Sequence, residues 1–308
     1  MRIGLALPHY PFSFPDGGGV TVERVVSYAR RAEALGFDSV WVSDHLFIDL
    51  TRYGGPPGRQ WSPEPLTLMT AIAGATARVR IGSLVLCSPF RNPALLAQAA
   101  HTMHDASGGR IELGIGAGWN EEEFIEAGIP FAPATERIHL LGETAARLKA
   151  ALPGGPPVWV GGKGGPKIMR VVAEHADGWN VVWTMTPDRY RGLLDTLARA
   201  CAATGRDPAT VRRSVGLPIL IGSDHADVEK RYDAMRDWSG GMLDDLSLEA
   251  WRAERLGGTP EECAERIASY GALGVEEIIL AAGGPLPFAV WDDEQLDLIG
   301  ERLLPLVR

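Results

Sequence analysis

Cysteine is scarce in this chain: three in 308 residues, at positions 87, 201 and 263, far apart and with no CxxC pair. An odd, scattered set argues against a disulfide framework or a thiolate zinc site, and a reducing cytoplasm is the simplest setting for it. Long apolar runs are missing too. No stretch approaches about 18 uninterrupted apolar residues, so no membrane span is expected. The opening MRIGLALPHYPF has too short an apolar run for a signal peptide. There is no basic excess: Lys plus Arg total 30 against 39 for Asp plus Glu, a net charge of -9. That balance is the reverse of a nucleic-acid footprint, though it leaves room for one local phosphate pocket. Neither GxGxxG nor GxxxxGK[ST] occurs, which removes the Rossmann and P-loop readings. Internal repeats and low-complexity linkers are absent as well.

What is present is an ordinary globular composition, 45% hydrophobic and 22% charged, arranged as short apolar runs alternating with amphipathic ones. The strand candidates are RIGLALP (2–8), SVWVSD (39–44), RIGSLVLC (80–87), RIELGIG (110–116), PVWVGG (157–162), GWNVVW (178–183), SVGLPILIG (214–222) and EEIILAA (276–282). Each lacks strict polar alternation, as strands covered on both faces do. Between them, VERVVSYARRAEALGF puts Val22, Val25, Val26, Ala29, Ala32 and Leu35 on one helical face before a Gly36 stop. TPEECAERIASYGALG opens with a Thr259 N-cap and Pro260 at the first helical position. Eight strand–helix units over 308 residues predict a single (β/α)8 TIM barrel rather than an open doubly wound sheet. Residues 223–258, with Trp238, Trp251 and Ser239-Gly240-Gly241, form the longest irregular region. They follow strand 7, so they are expected as an insertion or lid on the C-terminal face.

In such a barrel every strand end points into one shared mouth, and the strand ends carry the chemistry. VWVSDHL finishes on Asp44 and His45; a carboxylate and an imidazole belong at a rim better than in a core. His9 ends strand 1 and Trp183 ends strand 6, which makes them candidate substrate contacts. GIGAGWNEEEF leaves backbone N–H groups accessible around Gly116-Ala117-Gly118. VGGKGGPK feeds four glycines and Lys163 into a helix N-terminus, a combination that suits a phosphate. His101 and His104 stand three apart on a helix, but on the barrel's outside, so no metal site is expected. Cys87 has no base beside it in sequence and reads as an inert thiol.

Taken together, ALGFDSVWVSDHL, RIGSLVLCSPFRNPALLAQAA, SGGRIELGIGAGWNEEEFIEAGIPF and PVWVGGKGGPKIMRVVAEHADGWN resemble the luciferase-like family of TIM-barrel oxidoreductases, in particular its branch using the deazaflavin coenzyme F420. They cover most of residues 30–180; GTPEECAERIASYGALGVEEIIL resembles the family's final helix–strand unit. The resemblance implies a non-proline cis peptide within Ser83-Leu84-Val85, at Leu84-Val85, bulging against the cofactor ring. It implies Asp44 near the ring's polar edge, and Gly116, Ala117, Gly118 and the run Val160, Gly161, Gly162, Lys163, Gly164, Gly165 along the ribityl chain and phosphate. Arg91, Lys163 and Lys167 are the cations available to the cofactor's acidic tail. The activity implied is hydride transfer between F420 and a small organic substrate, reducing C=C or C=N or oxidising an alcohol. His45 would be the proton donor, with Asp44 orienting its imidazole or bonding the cofactor. Trp119 stands where the family's sugar-phosphate dehydrogenases carry a glutamate, so that activity is not carried over. The alternatives are an FMN monooxygenase and a non-catalytic barrel subunit. A homodimer is the expected assembly, without nucleic-acid or membrane partners.

Overall fold

The structure, a computed structural model, describes residues 1–55, 57–284 and 288–308. Eight strands pair in chain order, all parallel: Arg2–Ala6 (β1), Ser39–Val42 (β2), Arg80–Ser83 (β3), Ile111–Gly116 (β4), Val158–Gly161 (β5), Gly178–Val182 (β6), Arg212–Ile221 (β7) and Glu277–Ala282 (β8). The ring closes where β8 pairs with β1, from Arg2 opposite Glu277 to Leu5 opposite Leu280. Every expected strand is there, most of them shorter than expected and β7 starting two residues earlier, and the fold is the expected (β/α)8 barrel.

The strands read as continuous apolar runs because their two faces are both covered, by different material. Ile3, Leu5, Val40, Val42, Ile81, Leu113, Val158, Val160, Val215 and Ile278 join the large core between barrel and helices. The intervening residues face the barrel axis. At the lower end these are charged: Glu112 and Glu277, both nearly inaccessible, share Arg80, with Arg2 and Arg212 beside them. Two indoles cap this network. Trp41 Nε1 donates to Ser39 Oγ at 2.7 Å and Trp159 Nε1 to Glu112 Oε2 at 2.5 Å, with the rings 6.4 Å apart edge to face. They fit because their neighbours on adjacent strands are glycines. A Cβ on Gly82 would lie 2.2 Å from Trp41, and one on Gly178 2.3 Å from Trp159. Large rings against absent side chains fill the interior to the density a barrel core requires.

The helices follow their sequence signals. Val22–Leu35 is capped by Thr21 and ends on a left-handed Gly36; Val25, Tyr28, Ala29 and Ala32 are buried, while Val22 is exposed. Pro260–Gly271 opens with a full capping box between Thr259 and Glu262. The segment after β7 holds two helices, His225–Trp238 and Leu248–Glu254, and a short strand, Leu256–Gly258, that pairs with β7. Tyr232, Leu243 and Trp251 form its own small core over Leu220. A second excursion was not foreseen. After β2, Phe47–Asp49 and Arg59–Trp61 form an antiparallel hairpin, and Met242 from the β7 insertion touches Gly54 and Gly55 in its loop. Among the described residues no helix is long and apolar enough to cross a membrane.

Candidate active site

The rim has an apolar floor. Ala6 of β1, Trp41 of β2, Leu84 after β3, and Ile279 and Ala281 of β8 form one cluster. Ala289 belongs to it, and half-buried Val85, Val182 and Trp183 pack against it. Leu84-Val85 is a cis peptide, at the bond the sequence singled out, and Val182-Trp183 is a second one. The Leu84–Val85 step interrupts β3, whose pairing with β4 resumes at Leu86 and Cys87. Val85 projects across to the neighbouring strands. A Cβ on Gly116 would stand 2.6 Å from its Cγ2, and one on Gly161 2.8 Å from its Cγ1. Those two glycines therefore exist to admit Val85, in addition to any ligand they face.

Around this floor the candidate residues separate into those that reach the mouth and those that do not. Ser83 and Val160 lie on the outward face of their strands. Both hydrogen-bonding functions of the Ser83 hydroxyl go to Gly114, donating to its O at 2.8 Å and accepting from its N at 2.9 Å, and Val160 is packed among the helices. His9 is buried and engaged at both ring nitrogens. Nδ1 donates to Leu7 O at 2.7 Å, and Nε2 lies 2.9 Å from Ser43 Oγ, which also meets Tyr10 OH at 2.5 Å. Burial lowers the His9 pKa from 6.5 to about 4, so the ring is neutral and supports the rim from within. Trp183 does face the floor.

Asp44 and His45, adjacent in sequence, have different partners. Asp44 is buried; its carboxylate pairs with the Arg91 guanidinium and accepts from the Cys87 amide at 2.7 Å. Arg91 also bonds Glu64 at 3.0 Å, and these two carboxylates raise its pKa against its burial. Asp44 thus staples the chain leaving β2 to the chain leaving β3, and Arg91 is not available to a cofactor's acidic tail. Burial raises the Cys87 thiol pKa, as expected of an inert thiol. The orienting partner of His45 is Glu123 instead of Asp44: His45 Nδ1 lies 2.8 Å from Glu123 Oε2. Glu123 Oε1 accepts from the Leu46 amide at 2.5 Å. The Trp119 ring stands nearly perpendicular to the imidazole, 5.6 Å between centroids, and the Arg52 guanidinium lies over the Trp119 ring at 4.8 Å. Beside it, a cleft of about 280 Å³ runs between residues 48–53 and 119–122. It adjoins His45 without containing it. Glu123 escaped the sequence reading because it is the last of three consecutive glutamates. The available signal was helical phase: Asn120, Glu123 and Phe124 share the buried face while Glu121 and Glu122 are exposed.

The second glycine segment ends at an uncapped helix N-terminus. Helix Pro166–His175 begins at Gly165 with no side-chain cap, and a Cβ on Gly165 would meet nothing within 4 Å. Its first amides have no intrahelical acceptor and point out from a positive dipole end. Lys163 is exposed beside it, and Lys167 bonds Thr135 Oγ1 at 2.9 Å. Across the β4 loop, Gly118 takes a left-handed φ of 74° with Cys87 Sγ and Phe124 filling the space of a side chain. An apolar floor, bare backbone at β4 and β5, and an open helix end fit a flat ring with a phosphorylated side chain. Among the described residues no His, Cys, Asp or Glu cluster could hold a metal ion.

A family model described as luciferase-like monooxygenase matches residues 1–277, and the chain belongs to that family. It is 31% identical over 244 residues to a phthiodiolone/phenolphthiodiolone dimycocerosates ketoreductase of Mycobacterium tuberculosis, covering 68% of this chain and 64% of that protein. The chain thus spans just under two thirds of that relative's length. It is 30% identical over 269 residues to an F420-dependent glucose-6-phosphate dehydrogenase of Amycolatopsis mediterranei, covering 79% and 76% of the two chains. The solved structure of an F420-dependent secondary alcohol dehydrogenase with an F420-acetone adduct superposes with a TM-score of 0.77 at 20% identity. That superposition covers 100% of this chain and 99% of the other.

Proposed function

We propose that this protein is an F420-dependent oxidoreductase that moves a hydride between the deazaflavin and a small organic substrate, reducing a C=C, C=N or carbonyl group or oxidising the corresponding alcohol. The observation that carries the reading is the apolar floor around Leu84 and Val85, with Gly116 and Gly161 against Val85 and the uncapped helix Pro166–His175 following the β5 glycines. Names of relatives that include F420 support the same cofactor. When bound, the deazaflavin supplies a two-electron hydride carrier.

The chain's own residues supply the rest. Leu84, Val85, Trp41 and Ile279 present an apolar surface that excludes water from the reacting centre. Gly165 and the first turn of its helix hold the phosphate, with Lys163 nearby. His45 delivers the proton that balances the hydride, from Nε2 to the substrate's oxygen or nitrogen, or to the second carbon of a C=C bond, on reduction, and takes it back on oxidation. Trp119 and Trp183 wall the substrate side. The test is a fluorescence titration of the cofactor-free protein with F420 and with FMN. F420 is expected to bind at least about tenfold more tightly, a difference of roughly 1.4 kcal/mol. Preference for FMN would turn the reading to a flavin monooxygenase, and binding of neither would end it.

A further inference from the structure

Glu123 was assigned no role among the strand-end residues, yet it is the buried carboxyl group that faces the imidazole. Its side chain is about 3% exposed, and helix Glu121–Glu126 carries it inward beneath the β2–hairpin connection. One carboxylate oxygen takes the Leu46 amide and the other the His45 ring, so a single side chain fixes both the backbone just past His45 and the ring itself. In its carboxylate form Glu123 only accepts, so the nitrogen facing it then carries the hydrogen. Among the described residues His45 Nε2 makes no hydrogen bond, and the side chain is 14% exposed beside Trp119.

We propose that Glu123 is the positioning residue of this site: it locks His45 in the Nδ1–H form, so that Nε2 is the atom presented to substrate. Neutral His45 then offers a lone pair at the mouth and cationic His45 an N–H, which is the pair of states a reversible proton transfer needs. Without Glu123 the ring is free to rotate about χ2 or to carry its proton on Nε2, and either change removes the acceptor from the mouth. Asp44 cannot substitute, since Arg91 and the Cys87 amide occupy it. The inference rests on the hydride-transfer reading for its purpose, while its NMR test stands apart from that reading.

The test is 15N NMR of histidine-labelled protein without cofactor at neutral pH, with the His45 signals assigned by their loss in His45→Gln. The wild type is expected to show one His45 tautomer, with hydrogen on Nδ1. Glu123→Ala is expected to shift His45 towards the Nε2–H or a mixed form, and added formate, a small carboxylate, to restore the wild-type pattern. If Glu123→Ala unfolds by circular dichroism, Glu123→Gln serves in its place, with the same shift expected. Turnover of a small ketone with reduced F420 should fall more than tenfold in the variant with cofactor affinity within about twofold of wild type. A variant that keeps the wild-type tautomer overturns the inference, as does one that loses it but turns over normally. A wild type inert towards F420 and every ketone would sink the functional reading alone, leaving the NMR result to decide the role of Glu123.

Discussion

Val85 occupies the space that side chains at positions 116 and 161 would need, which ties two distant glycines to one residue of the bulge. The φ of Gly161 lies outside the left-handed region, so substitution there is opposed by crowding alone. Gly161→Ala should destabilise by about 1–3 kcal/mol in urea unfolding. Adding Val85→Ala should return much of that loss, and a double-mutant cycle without positive coupling would show that the contact is relieved elsewhere. His9 makes a prediction of a different kind. Its folded-state pKa is near 4 against 6.5 for the free side chain, because burial disfavours the cation. Between those values the unfolded chain binds a proton that the folded chain refuses. The stability is therefore complete above pH 6.5 and drains away as pH falls towards 4, by about 3 kcal/mol over the window. Urea midpoints for wild type should show that slope, and His9→Gln should lack it.

The first turn of helix Pro166–His175 poses two demands that one substitution separates. An N-cap acid stabilises a helix, but here the cap position is the place proposed for the phosphate. Gly165 has an extended φ of -65° and open space for a side chain, so Gly165→Asp is sterically admissible. It is expected to raise the melting temperature of the cofactor-free protein slightly, a gain of a few tenths of a kcal/mol over glycine. It should also weaken F420 binding by about tenfold or more through charge repulsion, read by the same titration. Loss of both stability and binding would mean that the loop is tuned for packing alone. Elements of this kind were legible from sequence because local chemistry specifies them: a glycine run into Pro166, Thr259 ahead of Pro260, apolar runs of strand length. The hairpin of Phe47–Asp49 and Arg59–Trp61 was not, since three-residue strands carry no measurable period. Nor were the partners of Asp44 and His45. Arg91 and Glu123 are 47 and 78 residues away, and only the pairing of β2 with β3 and of β3 with β4 brings them within reach.

At the scale of the molecule the barrel is divided across its axis. The lower half is a plug of indoles and ion pairs, and the upper half is an apolar floor with polar groups confined to its margin. The division explains why the sequence reading located the strand ends well and missed the plug. Glu112 and Glu277 sit inside otherwise apolar strands and look, from sequence alone, like interruptions. Trp41 and Trp159 close the barrel from below, so a cofactor resting on the floor above them, as proposed, must be admitted before, and released after, the substrate stacked on it. Occupancy should accordingly be strictly ordered, with a substrate mimic retained by the cofactor-loaded protein and passing unretained through the empty one.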